Sequence, residues 1–374
     1  MEFAHGWLRN AGVPVEFHRF HEKRIFDYRG VNVVGALESG NPGPTVVVNG
    51  HLDTVKLCEG WTRDPYAASI EGDRMYGLGA CDMKTGCASI MLALAAFFED
   101  YPQFRGRIDY SLVCDEEGPF GLGTDALIVD GIMRPEADVA VITEPSSDIG
   151  LGIAQRGAQF FRLKISGAGG QIEVKHDLVN PIGRALEVYR AVEDYSLMRE
   201  SSVSHPLYDP LYKTKAPVGI CRVYGGEWPS TVPDACFMEG SIECMPGEDI
   251  ETVKESFKKY LLALGLADPW FEKHPVEVRW FGLRLESAEL SAVHPLVGEI
   301  SRHIERVKGH LPIVGGGGGC DLRLPLLHGN TPAVIYGPGG EHAHGIDEYV
   351  EFEQVMSCLK VIASLAADWC GKAD

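Results

Sequence analysis

Two hydrophobic periods divide the chain. Short apolar or β-branched runs, Thr45-Val46-Val47-Val48, Ile108 to Cys114 and Ala137 to Ile142, are bounded by turn residues and read as strands buried on both faces. Val31 to Leu37 and Pro332 to Gly340 add two more. Between them lie longer stretches with helical spacing: Ala88 to Phe98, Thr124 to Val129, Leu296 to Val307 and Phe352 to Ala367. A short amphipathic helix opens the chain, and Val13 to Phe17, which contains Pro14, reads as an edge strand. This alternation predicts an α/β fold, with a mostly parallel central sheet and helices on both faces.

The texture changes near Arg156. Phe160 to Gly167 alternates like a half-exposed strand, and Asn180-Pro181 opens a helix. Val218 to Gly226 and Ala235 to Ile242 read as antiparallel strands, Ile250 to Leu264 as an amphipathic helix, and Val276 to Phe281 as a closing strand. These elements predict a compact α+β unit inserted at residues 155–284. Residues 1–154 and 285–374 then form one discontinuous domain. The run Gly315 to Gly319 is too short for a linker and is expected to form a tight backbone turn at the site, with Gly315 a candidate substrate contact.

Composition narrows the function classes. With 374 residues, 45% hydrophobic and 23% charged, the chain can build more than one core. A net charge of −19 argues against a nucleic-acid partner, whose phosphates call for Lys and Arg. No run of eighteen apolar residues occurs, so no membrane partner is expected, and the absence of a signal-peptide pattern makes a cytoplasmic location the expectation. The chain starts within what reads as its first helix, which leaves open a segment before it. Ten cysteines are scattered without the paired spacings of a zinc finger or a disulfide framework.

Candidate chemistry gathers at the ends of the predicted strands. His51 and Asp53 follow the Thr45 run, Glu116 and Glu117 follow Cys114, Glu144 follows Ile142, and His344 follows the strand at 332–340. Asp82 lies between a glycine-rich turn and the Ala88 helix. Two histidines with several carboxylates suit two closely spaced divalent cations of the zinc type. Such a pair polarises a carbonyl and activates water, and a neighbouring carboxylate moves the proton. Glu116-Glu117 offers both roles, since neighbours on an extended segment face apart and one can bind metal while the other faces substrate.

GHLDTV at 50–55, GACDMK at 79–84, DEEG at 115–118, TEPS at 143–146 and GPG with AHGIDEY at 337–349 resemble the metallopeptidase family of acetylornithine deacetylase, succinyl-diaminopimelate desuccinylase, aminoacylase and glutamate carboxypeptidase. The resemblance covers nearly the whole chain. It implies that His51 and Glu144 hold one Zn2+, Glu117 and His344 the other, and that Asp82 bridges them, with Co2+ or Mn2+ as possible substitutes. It also implies that Asp53 orients His51, that Glu116 is the general base and acid, and that the inserted unit is a lid and homodimerisation domain.

Three positions depart from that family. Gln171 stands where the lid histidine is expected, with His176 as an alternative donor. Ser230 and Glu243 replace an Asn and an Arg that read a substrate carboxylate, leaving Arg323 as a candidate substrate contact or an internal salt bridge. The expected activity is hydrolysis of the amide of a small N-acyl amino acid. A dipeptidase or carboxypeptidase of the same family, or a metal-binding homologue without catalysis, are the alternatives.

Overall fold

The computed structural model describes residues 1–24, 27–118 and 121–371. It divides into two compact units, Met1–Gln155 with Ala288–Asp374, and Arg156–Ser287. The unit boundaries fall one and three residues beyond the 154 and 284 expected from sequence.

The first unit is built on a nine-stranded mixed sheet. Its centre is parallel: Arg107–Val113, Thr45–His51, Val139–Pro145 and Ala333–Gly337 lie side by side in that order. Antiparallel strands flank them, Glu16–Glu22 and Tyr28–Glu38 on one side and Leu151–Gln155 with Ala288–Glu289 on the other. Val46, Val47 and Val48 are all buried, as a central strand covered on both faces requires. Val47, Ala140, Ile142 and Ile335 pack with Leu127 and Leu322 in one core cluster. The helices Thr85–Asp100 and Phe352–Cys370 pack on each other and on the sheet. By length and composition Ala80–Asp100 could span a bilayer, but 61% of it is buried within the protein, so its apolar surface is spent on this core.

One strand starts later than its sequence suggests. The edge strand runs Glu16–Glu22 rather than from Val13, because Pro14 has no N–H to offer a ladder. Its carbonyl instead accepts the Tyr110 hydroxyl at 2.5 Å.

The second unit carries a four-stranded antiparallel sheet in the order Val218–Gly225, Ala235–Cys244, Gly157–Ser166, Glu277–Leu285. The helices Pro181–Ser202 and Ile250–Leu262 cover it. Asn180 caps the first by accepting the N–H of Ile182 at 3.0 Å, and Pro181 occupies the first turn, where no N–H is needed. Phe161, Tyr195 and Phe257 are fully buried at the centre, with ring centroids 4.9 Å apart for Phe161–Phe257 and 5.2 Å for Tyr195–Phe257.

Candidate metal centre

His51 ends the Thr45–His51 strand, and Glu144 lies near the end of the parallel strand Val139–Pro145. Carboxyl ends of adjacent parallel strands open on the same side of a sheet, which brings these two residues together. His51 Nε2 stands 3.7 Å from Glu144 Oε1 and 3.1 Å from Asp82 Oδ1. Asp82 arrives from the turn before the Thr85–Asp100 helix, at a kink whose backbone is not helical (φ −116°, ψ 99°).

His344 comes from a different construction. Gly340–Glu341 and Tyr349–Glu351 form an antiparallel hairpin, and Tyr349–Glu351 also pairs with Arg74–Tyr76, the strand that leads into the Asp82 turn. The hairpin loop is tightly folded, with His342, His344 and Asp347 in the left-handed region. Asp347 pins it by accepting the N–H and hydroxyl of Thr62 at 2.9 and 2.6 Å. His344 Nε2 then lies 2.8 Å from Glu117 Oε1 and 3.4 Å from Asp82 Oδ2.

Asp82 therefore serves both groups, one oxygen toward His51 and the other toward His344. The two sets of converging ligand atoms are His51, Asp82 and Glu144, and Asp82, Glu117 and His344. Glu116 Oε2 is 3.9 Å from His51 Nε2, in the same cleft.

The Glu116-Glu117 segment is not extended, contrary to the sequence expectation. Asp115 adopts φ +68° and bends the chain, and Asp53 holds the bend. Its two carboxylate oxygens accept the N–H groups of Glu116 at 3.2 Å and Glu117 at 3.0 Å. Asp53 faces His51 Nδ1 mainly through its main-chain carbonyl, at 3.2 Å, with the carboxylate at 3.5 Å. Donation from Nδ1 to that carbonyl would leave Nε2, the nitrogen facing Asp82 and Glu144, able to take a cation.

The electrostatics call for added positive charge. Burial pushes Glu116 and Glu144 well above the usual carboxylate range, and the charge of Asp82 adds to the effect on Glu144. Asp82 is buried too, but hydrogen bonds from His344 and His51 hold it low. Burial alone would lower His51, yet Glu144, Asp82 and Glu116 hold it well above the histidine range. Hydrogen bonds to Asp82 and Glu117 raise His344 to about 10. Two imidazoles thus sit among four carboxyl groups, and the carboxylates beside them raise the proton affinity of both rings. Glu144 Oε1 is buried with no hydrogen-bond partner among the described residues. A mixed imidazole and carboxylate donor set, a shared carboxylate and an orphaned buried oxygen fit a pair of divalent cations.

The candidate substrate contacts separate. Gly316 to Gly319 line the cleft of about 280 Å³, whereas Gly315 ends the Ile313–Gly315 strand, in register with Ala154. Arg323 is buried outside that lining, donates its main-chain N–H to Gln155 Oε1 at 2.9 Å, and its charge lowers the proton affinity of Asp321. Gln171 is exposed on the second unit, paired with Thr231 in a two-residue ladder, and His176 is exposed beyond it. Glu243 forms an ion pair with Arg156 at 2.9 Å, which accounts for its charge within that unit.

Sequence reasoning passed over Glu348. Its carboxylate is buried and accepts the N–H groups of Gly79, Cys81 and Asp82 at 2.7, 2.9 and 2.9 Å. The available signal was an acid directly before the apolar Tyr349-Val350 pair, where a strand buries its start.

The sequence profile of peptidase family M20/M25/M40 matches residues 47–368. A succinyl-diaminopimelate desuccinylase of Hydrogenovibrio crunogenus is 27% identical over 335 residues, covering 86% of this chain and 83% of that protein. One of Gluconobacter oxydans is 35% identical over 176 residues, covering 46% of this chain and 45% of that relative, less than half its length. Among solved structures, the dipeptidase Dug1p of Saccharomyces cerevisiae superposes with a TM-score of 0.74 at 16% identity, over 97% of this chain and 88% of that one. The Bacillus subtilis YXEP protein, a dinuclear metal-binding peptidase, gives 0.64 at 17% identity, over 98% and 90%. The two structures share the fold, and the profile match over most of the chain makes this protein a member of peptidase family M20/M25/M40 and a metal-dependent hydrolase.

Proposed function

We propose that the protein hydrolyses the amide bond of an N-acylated amino acid, using two zinc ions. The observation that carries this reading is Asp82, whose two oxygens face two separate groups of side chains, while Glu116, which belongs to neither group, lies at the same cleft 3.9 Å from His51 Nε2. When bound, two such cations polarise the scissile carbonyl and lower the pKa of the attacking water. His51 and Glu144 would hold one cation, Glu117 and His344 the other, with Asp82 between them. Glu116 accepts the proton of the attacking water and delivers it to the leaving nitrogen. Burial, which raises the proton affinity of Glu116, suits it to both halves of that transfer. Asp53 holds Glu116 and Glu117 at the separation that their different roles require.

The names of the two relatives favour an N-succinyl amino acid among the acyl substrates. The test is metal content together with turnover on N-succinyl, N-acetyl and dipeptide substrates, with E116Q as control. Full turnover by E116Q would remove the mechanism. We also propose that the inserted unit pairs two copies of the chain, for which the strand Val218–Gly225, exposed and at the edge of its sheet, is available.

A further inference from the structure

We infer that Glu348 is a positioning residue that sets the second cation pocket by locking the His344 loop to the Asp82 turn. The inference rests on the two-cation reading above. Asp82 and His344 are 262 positions apart and reach the cleft on irregular segments, just beyond the ladder that pairs Tyr349–Glu351 with Arg74–Tyr76. Glu348 carries that connection past the end of the ladder to the Asp82 turn itself. It follows His344 by four residues, and its main-chain carbonyl accepts the N–H of Gly77 at 3.0 Å. Its side chain then takes three further N–H groups of the same turn: Gly79 on Oε2, and Cys81 and Asp82 on Oε1.

The turn is shaped to receive a carboxylate. Gly79 lies at φ +74°, where a Cβ would meet Thr54 and Lys84, so the N–H groups around it converge into a concave donor set. Lys84 ties the same turn from the other side through Leu78 O at 2.8 Å. One of the bonded N–H groups belongs to Asp82 itself, so the carboxylate of Glu348 fixes the backbone from which the bridging side chain springs. No comparable device is needed at the first pocket, where His51 and Glu144 stand on hydrogen-bonded strands. Glu348 thus acts on the pair Asp82 and His344 more than on the pair His51 and Glu144.

Glutamine has nearly the same shape but only one acceptor oxygen, and its NH2 would confront at least one of the N–H donors. E348Q is therefore expected to weaken the second cation by about 10–100-fold, the range for groups that orient ligands, and to weaken the first, which shares Asp82 but keeps His51 and Glu144 on their strands, by much less. Metal-free protein is titrated with Co2+, reading stoichiometry and affinity from the visible absorption of the bound ion, with H344A as the reference for a lost second site. Thermal unfolding of metal-free wild type and E348Q separates a positioning role from a general loss of structure. Where E348Q does not fold, E348D, which keeps the charge and shortens the reach, takes its place.

Two tight sites in wild type and one in E348Q, with similar melting of the metal-free forms, support the inference. Two unchanged sites in E348Q overturn it while leaving the two-cation reading intact. Failure of both variants to fold overturns it as well, since Glu348 would then serve the fold as a whole. Fewer than two sites in wild type overturns both readings.

Discussion

The carboxylate of Asp53 accepts the main-chain N–H of Glu117 at 3.0 Å, and its other oxygen takes the N–H of Glu116 at 3.2 Å. A residue two positions beyond the Thr45–His51 strand thereby sets where the paired glutamates sit. In D53N one of these acceptors becomes a donor, and one glutamate N–H loses its partner. Divalent-cation affinity is expected to fall by about 10–100-fold. Circular dichroism should remain that of wild type. Co2+ titration of the two proteins checks this, and equal affinities would count against an orienting role for Asp53.

Glu116 and Glu117 are expected to respond differently to the same change. E116Q should keep its full metal content and lose about 10²–10⁴-fold in turnover, the contribution of a general acid-base group. E117Q should lose metal as well, because Glu117 faces His344 at 2.8 Å. Metal analysis alongside single-turnover kinetics distinguishes the two, and an E116Q protein that had lost its metal would reverse the assignment.

Metal-free protein should show a pH dependence traceable to His344. Asp82 and Glu117 raise its pKa to about 10, above the ordinary histidine value of about 6.5. A raised folded-state value means that the protonated imidazole stabilises the fold fully below about 6.5, and that this contribution is lost as pH rises through about 10. Cation binding requires the neutral imidazole, so apparent affinity should increase with pH across the same window. The difference in melting temperature between metal-free wild type and H344Q, followed from pH 6 to pH 10.5, should shrink as pH rises. A constant difference would contradict the assignment.

The inserted unit has its own core, and Phe161 is fully buried at its centre beside Phe257 and Trp280. F161A is expected to destabilise that unit by about 3–5 kcal/mol, the range for removing a buried aromatic ring. Denaturant unfolding followed by tryptophan fluorescence measures the change.

Pairing through the inserted unit predicts a dimer by sedimentation at micromolar concentration. A charged substitution on the exposed face of the edge strand, V223K, should shift it toward monomer. A wild-type chain that sediments only as monomer removes the proposal.

Much of this protein was legible without its structure. Buried parallel strands announce themselves as β-branched runs, and acids and histidines at their ends point to the carboxyl edge of a sheet, because side-chain direction in a strand follows from the period of two. His51, Glu144 and the capped helix at Asn180 are readable in this local way. Asp82, Glu117 and His344 were readable as polar groups at strand and turn ends, and the family motifs added the way they divide between two cations. The bend at Asp115 was not legible, since a left-handed residue in a loop leaves no periodic trace.

What only the tertiary structure decided is the pairing of groups far apart in sequence. Arg323 was buried with its main-chain N–H on Gln155, Glu243 found Arg156, and the carboxylate of Glu348 closed on N–H groups 266 to 269 positions away. Local pattern determines which residues a strand or helix presents to a site. It does not determine which buried charge meets which donor, because that depends on how chain segments without a repeat of their own are brought together, and desolvation makes each buried charge take whatever partner the fold supplies.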